Sequence, residues 1–146
     1  MTAEVTKIRN AKKEDFNFIY ESLKLIYTDL DKIGFLKRIN VIQKKKKSWI
    51  LVAENELNHI IGFIISQNIH YIDFQHESLI ISDFYIEPKY RKLKLADKLF
   101  QEVEERALKN DFNQIIVMCN ITATTTQNFY TKHKFKFIKK AYIKQI

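Results

Sequence analysis

Leu79-Ile80-Ile81-Ser82-Asp83-Phe84-Tyr85-Ile86-Glu87-Pro88-Lys89-Tyr90-Arg91-Lys92-Leu93-Lys94-Leu95-Ala96-Asp97-Lys98-Leu99-Phe100 is the stretch on which the fold turns. Its first half, apolar through Ile86, reads as a strand that stops at Pro88, the only proline of the chain. Proline has no N–H to give to a sheet ladder, so pairing ends there. A basic turn follows. Leu93, Ala96, Leu99, Phe100, Val103, Ala107 and Leu108 then recur at helical spacing, with charged residues between them. A strand that passes through a basic turn into a helix start is suited to binding phosphate. The N–H groups of the first turn have no partner within the helix, and the helix dipole favours an anion there.

Upstream, Val5 to Arg9 alternates as a short strand. Phe16, Ile19, Tyr20, Leu23, Ile26, Tyr27 and Leu30 predict one amphipathic helix, ended or separated by Gly34. Phe35 to Lys47 predicts a second helix, with Lys44 to Lys47 a solvated charge run or a patch for an acidic partner. Ser48 to Glu54, Ile60 to Phe74 and Ser78 to Ile86 read as a meander of strands. Downstream, Asn110-Asp111 ends the helix that begins near Leu93. Gln114 to Cys119 reads as a short strand buried on both faces. Thr122 to His133 follows as a helix, and Phe135 to Ile146 as a last strand or hairpin. The order is β-α-α-β-β-β-α-β-α-β. It implies an α/β (α+β) fold, in which a mixed, mostly antiparallel sheet is flanked by helices. The crossover through the third helix is right-handed and makes its two strands parallel.

Residues 1–146 read as a single domain, since no linker or repeat interrupts them. The chain is 46% hydrophobic and 13% aromatic, enough for a sizeable core. Its net charge of +8 favours an anionic partner: nucleic acid, a membrane surface or a phosphate-rich small molecule. One cysteine, Cys119, excludes a disulfide within the chain, and its apolar neighbours predict a buried, inert thiol. No signal-type leader and no membrane-length apolar run are present, so a cytoplasmic protein with no membrane partner is expected. His59, His70, His76 and His133 lack metal-ligand spacing, and no metal is expected.

The chain resembles the GCN5-related N-acetyltransferase (GNAT) superfamily over nearly its whole length. The element order matches, and so do two motifs. The family's Arg/Gln-x-x-Gly-x-Gly/Ala turn reads here as Arg91-Lys92-Leu93-Lys94-Leu95-Ala96, preceded by Ile86-Glu87-Pro88-Lys89-Tyr90. The family's Asn-Phe-Tyr-x-Lys-x-Gly-Phe segment reads as Asn128-Phe129-Tyr130-Thr131-Lys132-His133-Lys134-Phe135. Lys94 and Lys134 stand where glycine is usual, and Lys92 at a position that is often glycine. Glycine serves where backbone approaches a ligand or takes positive φ. A helical backbone at Lys94 would accommodate the lysine, and its ammonium would add an attractive charge near the pyrophosphate; equally, the side chain would crowd the turn.

The resemblance implies acetyl-CoA as co-substrate. Amides from Lys92, Leu93, Lys94, Leu95, Ala96 and Asp97 would cradle its pyrophosphate beside Arg91. Phe84, Tyr85 and Ile86 would pair by backbone with the pantetheine arm, and Asn128 would contact the coenzyme. Tyr130 would be the acid that protonates the leaving thiolate. The N–H of Ile86 or a neighbour would polarise the thioester carbonyl. Asp83 is a candidate base, or an orienting carboxylate. Glu54 and a relayed water are weaker base candidates. Strand alternation puts Asp83 and Tyr85 on one face and Phe84 and Ile86 on the other, without saying which face meets the acceptor. Of the aromatics in the acceptor-lining segment, Phe16, Tyr20 and Tyr27 fit core packing, and Phe35 invites a substrate role. The expected acceptor is a primary amine of a small molecule or peptide, and Asp83 to Ile86, which resembles the corresponding strand of polyamine and amino-sugar acetyltransferases, raises polyamines, amino sugars and other small amines. The +8 charge weighs against a polycation unless Asp29, Asp31 and Asp73 gather locally. The short final segment suggests a reduced sheet edge or one borrowed from a second copy, hence a homodimer. Two other readings stay open: a coenzyme-binding sensory domain without turnover, and a basic nucleic-acid-binding module, which net charge alone supports.

Overall fold

The computed structural model describes residues 5–70, 77–92, 94–119, 123–138 and 141–146, with the side chains of Val5 and Thr6 left aside. The elements are β1 (Val5–Asn10), α1 (Phe16–Lys24), α2 (Lys32–Lys44), β2 (Trp49–Asn55), β3 (Ile60–Ile69), β4 (Ser78–Ile86), α3 (Leu95–Lys109), β5 (Ile115–Val117) and α4 (Thr124–Lys132). One-turn 3-10 helices precede α1 (Lys13–Asp15) and α3 (Pro88–Tyr90). The sheet order is β1-β2-β3-β4-β5. The first four strands are antiparallel neighbours, and β5 joins β4 in parallel.

Side chains alternate across the sheet, so it supports a core on each face. Leu51, Ala53, Ile61, Ile64, Leu79 and Ile81 face α3, whose Leu95, Leu99, Phe100 and Val103 are fully buried against them. Ile50, Val52, Phe63 and Ile65 face α1 and α2, meeting Phe16, Ile19, Leu23, Phe35 and Ile39. Burial of each of these Leu, Ile, Val and Phe side chains contributes about 1.5–3 kcal/mol. At the β1 edge the Arg9 guanidinium bridges two carboxylates, Asp15 (2.7 Å) and Glu54 (2.5 Å), joining the entry to α1 to β2.

Phe100 is the hub that seats α4. Fully buried, it holds ring contacts to Phe84 (5.7 Å), Phe129 (5.3 Å), Tyr130 (5.8 Å) and Phe135 (5.8 Å). Mostly tilted or edge-on, such pairs add about 0.5–1.5 kcal/mol each beyond their burial. Asp97 Oδ1 lies 2.7 Å from His133 Nε2, a second tie between α3 and α4.

The structure corrects several expectations. α1 ends at Lys24 rather than running to Leu30. The Lys24 ammonium donates to the carbonyls of Thr28 and Leu30 and closes the chain into a turn. Gly34 lies inside the first turn of α2, where its N–H donates to the Asp31 carboxylate that caps the helix. Lys47 leaves the charge run to pair with Glu77 at 3.2 Å. β5 is shorter than Gln114 to Cys119 and only half-buried, because it lies at the end of the sheet and leaves β4 after Val117. No strand forms among the described residues of Phe135 to Ile146: Phe137, Ile138, Tyr142 and Ile143 are exposed there, with no partner strand to pair with. Ile72, Asp73 and Phe74 of the expected long strand lie outside the described residues.

Candidate active site

β4 and β5 pair only from Leu79 to Ile81, against Ile115 to Val117. From Ser82 to Ile86 that edge of β4 has no strand beside it among the described residues. The register against β3 shifts between Ile65 and Ser66, so Ser82 is an extra residue in β4, a bulge. The bulge inverts which residues face where. Before it, Leu79 gives its N–H to Gln114 at β5. After it, Glu87 gives its N–H to Ile61 on β3. Alternation then turns the N–H groups of Phe84 and Ile86 toward the open edge. The Ile86 carbonyl points the same way, for it accepts from Arg91 Nε at 2.9 Å.

The bulge also settles the faces. Phe84 and Ile86 pack on the α3 side. Tyr85 packs on the α1–α2 side, stacked on Phe63 at 5.8 Å, and Asp83 shares that face. The Arg91 guanidinium sits over the Tyr85 ring at 5.8 Å.

A cleft of about 600 Å³ follows this open edge. It brings together Asp83, Phe84, Tyr85, Ile86, Arg91, Ala96 and Tyr130 of the predicted site. Leu95 is core, so only its backbone could serve a ligand. Lys92 and Lys94 are exposed beyond the cleft wall, Asp97 faces His133, and Asn128 is exposed outside the lining. Leu93 lies outside the described residues. Glu54 is held by Arg9 away from the cleft, which removes it as a candidate base.

Lys94 is not helical. It takes φ 56° and ψ 20°, left-handed backbone, directly before α3. Lys134 does the same at φ 64°. Both positions keep the conformation glycine would supply, while bearing a side chain. Neither lysine lines the cleft, so crowding of it is not seen.

Three residues change standing. Tyr27, expected in the core, is half-exposed and lines the cleft. Phe35, expected to meet substrate, is buried against Tyr20 at 5.4 Å. Cys119, expected inert, is half-buried in the cleft wall near Tyr130. Thr125, Thr126 and Phe129 of α4 complete that wall. Only helical spacing from Tyr130 could have found them.

Burial pushes the Tyr130 hydroxyl up to about 12, helped by nearby Cys119, so the phenol keeps its proton throughout the neutral range. Burial also raises the Asp83 carboxyl, against a hydrogen bond from Ser82 that lowers it. Tyr27 is raised by burial and by Asp83 nearby, which places its hydroxyl in the field of that carboxylate. Among the described residues no cation forms an ion pair with Asp83, and no cluster of His, Cys, Asp and Glu could hold a metal. No helix among them is long and apolar enough to cross a membrane.

A mixed sheet splayed beside a basic helix start defines the acyl-CoA N-acyltransferase class of fold. Solved structures agree. A transcriptional regulator from Bacillus halodurans superposes with a TM-score of 0.87 at 18% identity, covering 98% of this chain and 100% of that one. The aminoglycoside N-acetyltransferase AAC(6')-Iy, solved with CoA, gives 0.83 at 14%, covering 96% and 93%. AAC(6')-Ih from Acinetobacter baumannii gives 0.82 at 13%, covering 96% and 97%. At such identities the likeness is one of fold. A comparison with curated proteins finds no match. The Acetyltransferase (GNAT) domain family matches residues 46–137, more than half of the chain. The chain belongs to the GNAT acetyltransferase family.

Proposed function

We propose that this acetyltransferase moves the acetyl group of acetyl-CoA directly to a primary amine of a small molecule, with Tyr130 as general acid. The observation that carries the reading is one cleft holding three parts of the reaction: open-edge N–H groups at Phe84 and Ile86, a buried phenol at Tyr130, and a carboxylate at Asp83.

The residues present fit acetyl-CoA. A bare strand edge suits the amide-bearing pantetheine arm, and the first-turn N–H groups of α3, beside Arg91, Lys92 and Lys94, suit a diphosphate. Arg91 now occupies the Ile86 carbonyl, so it releases that group when the arm pairs there. The N–H of Ile86 polarises the thioester carbonyl. Asp83 holds the amine and takes its proton directly or through water; its raised affinity for protons suits a base. Tyr130 gives its proton to the departing sulfur and recovers it from solvent. Cys119 lies in the same wall, but direct transfer forms no acyl-enzyme and leaves it outside the reaction.

Millimolar acetyl-CoA should raise the melting temperature and slow deuterium exchange at the amides after Arg91. Tyr130→Phe should lower kcat by about a hundredfold or more with acetyl-CoA affinity intact. Unchanged turnover would remove Tyr130 from the chemistry. Tight CoA binding with no turnover on any amine would make the chain a binding domain instead.

A further inference from the structure

The cleft wall includes apolar side chains that the coenzyme reading leaves unassigned: Leu23, Ile26 and Tyr27 from α1 and its turn, and Met118 after β5. Ile26, Tyr27 and Met118 are 54%, 51% and 67% exposed, large apolar surfaces gathered on one opening. The turn that presents them is built rather than loose. Lys24 donates to Thr28 and Leu30, Tyr20 donates to Leu30 (3.3 Å), and the Tyr27 N–H donates to Leu23 (2.7 Å).

One acidic charge lines the cleft. Asp83 is the only acidic residue among the described residues lining the cleft. The groups facing it are the Tyr27 hydroxyl and the Ser82 hydroxyl, not a cation. Asp31 is committed to the cap of α2, and neither it nor Asp29 lines the cleft. A polyamine or an aminoglycoside brings several ammonium groups, and each one buried in the cleft without a carboxylate is costly. Among the described residues one carboxylate, Asp83, can meet one of them. The net charge of +8 further disfavours approach of a polycation.

We propose that the acceptor is a monoamine with an apolar or aromatic body, its ammonium on Asp83 and its body against Tyr27, Ile26 and Met118. The inference rests on the proposed transfer to an amine at this site. It departs from the aminoglycosides that name the fold neighbours.

The test is a calorimetric titration of 2-phenylethylamine, spermidine and kanamycin into the protein saturated with CoA. Phenylethylamine should bind about tenfold or more tighter than either polycation, and Asp83→Asn should weaken it about tenfold or more, the size of one charge-assisted contact. Tyr27→Ala, a change at a half-exposed position, should weaken phenylethylamine more than methylamine, which has no ring to lose. Tighter binding of spermidine or kanamycin would overturn the proposal, as would phenylethylamine binding that is absent or indifferent to both substitutions. The same titrations without CoA read the amine preference independently. Absence of heat with CoA itself would sink the acetyl-transfer reading and leave the amine result standing.

Discussion

Lys94 offers a direct test of how a lysine occupies a backbone position made for glycine. It lies at φ 56°, where its Cβ crowds the following carbonyl. Lys94→Gly relieves about 1–2 kcal/mol of that strain. Glycine's greater freedom in the unfolded chain takes back about 0.5–1 kcal/mol. The net gain is about 0.5–1 kcal/mol, or roughly 1–4 °C in Tm for a domain of this size. Lys94→Ala retains the Cβ and the strain, so its Tm should stay near that of the parent. The charge is separated by the same pair. Both variants lose one cation near the helix start and should bind CoA about two- to fivefold more weakly at low salt, an effect that fades at high salt. Thermal scans and calorimetry at two salt concentrations read both effects. A glycine variant that melts no higher than the alanine variant would refute the strain argument. Equal CoA affinity in all three proteins would remove the ammonium from the coenzyme site.

Three further outcomes follow from the structure. Gly62 faces Ile86 across the β3–β4 pair, and a Cβ there would lie 2.9 Å from the Tyr85 carbonyl oxygen; Gly62→Ala should cost about 1–3 kcal/mol in denaturant unfolding and impair turnover, because β4 shifts at the cleft. Arg9→Ala removes the guanidinium from the Asp15 and Glu54 carboxylates and should cost about 3 kcal/mol by denaturant unfolding, with no loss here refuting the bridge. Tyr130 holds its proton more tightly folded than unfolded, so its share of stability is complete below about pH 10 and lost as pH rises through about 12. Tyr130→Phe should flatten that alkaline fall in Tm, and an unaltered slope would contradict the burial of the hydroxyl.

Much of the frame was legible because its signals are local. The apolar run to Pro88 gave β4 with both ends correct, and Asn110-Asp111 marked the end of α3. Period alone could not separate a core stripe from a cleft stripe. Ile26 and Tyr27 continue the spacing of Leu23, yet the chain has already left the helix and shows them to the opening. Gly34 drew attention as one of only two glycines, but Asp31, three residues before it, was the cap that fixed the helix start. The bulge at Ser82 depends on pairing with β3, a contact distant in sequence, so the face of Asp83 stayed unread. Tyr130 and the residues around Arg91 came from motif resemblance, and geometry adds their common cleft. The closing strand failed because alternation supplies a face but no neighbouring edge to bond.

The extra residue at Ser82 separates two kinds of recognition along a single strand. On the proposed reading, the donor meets main-chain atoms, which every amino acid carries alike, whereas the acceptor meets side chains on the opposite surface. Mutations along the Ile26-Tyr27 turn can therefore retune amine choice while leaving the acyl donor in place. Loss of that one residue would couple the two, exchanging their surfaces at once. On that reading, selectivity can drift by point substitution, whereas a single deletion in the strand turns Asp83 away from the amine.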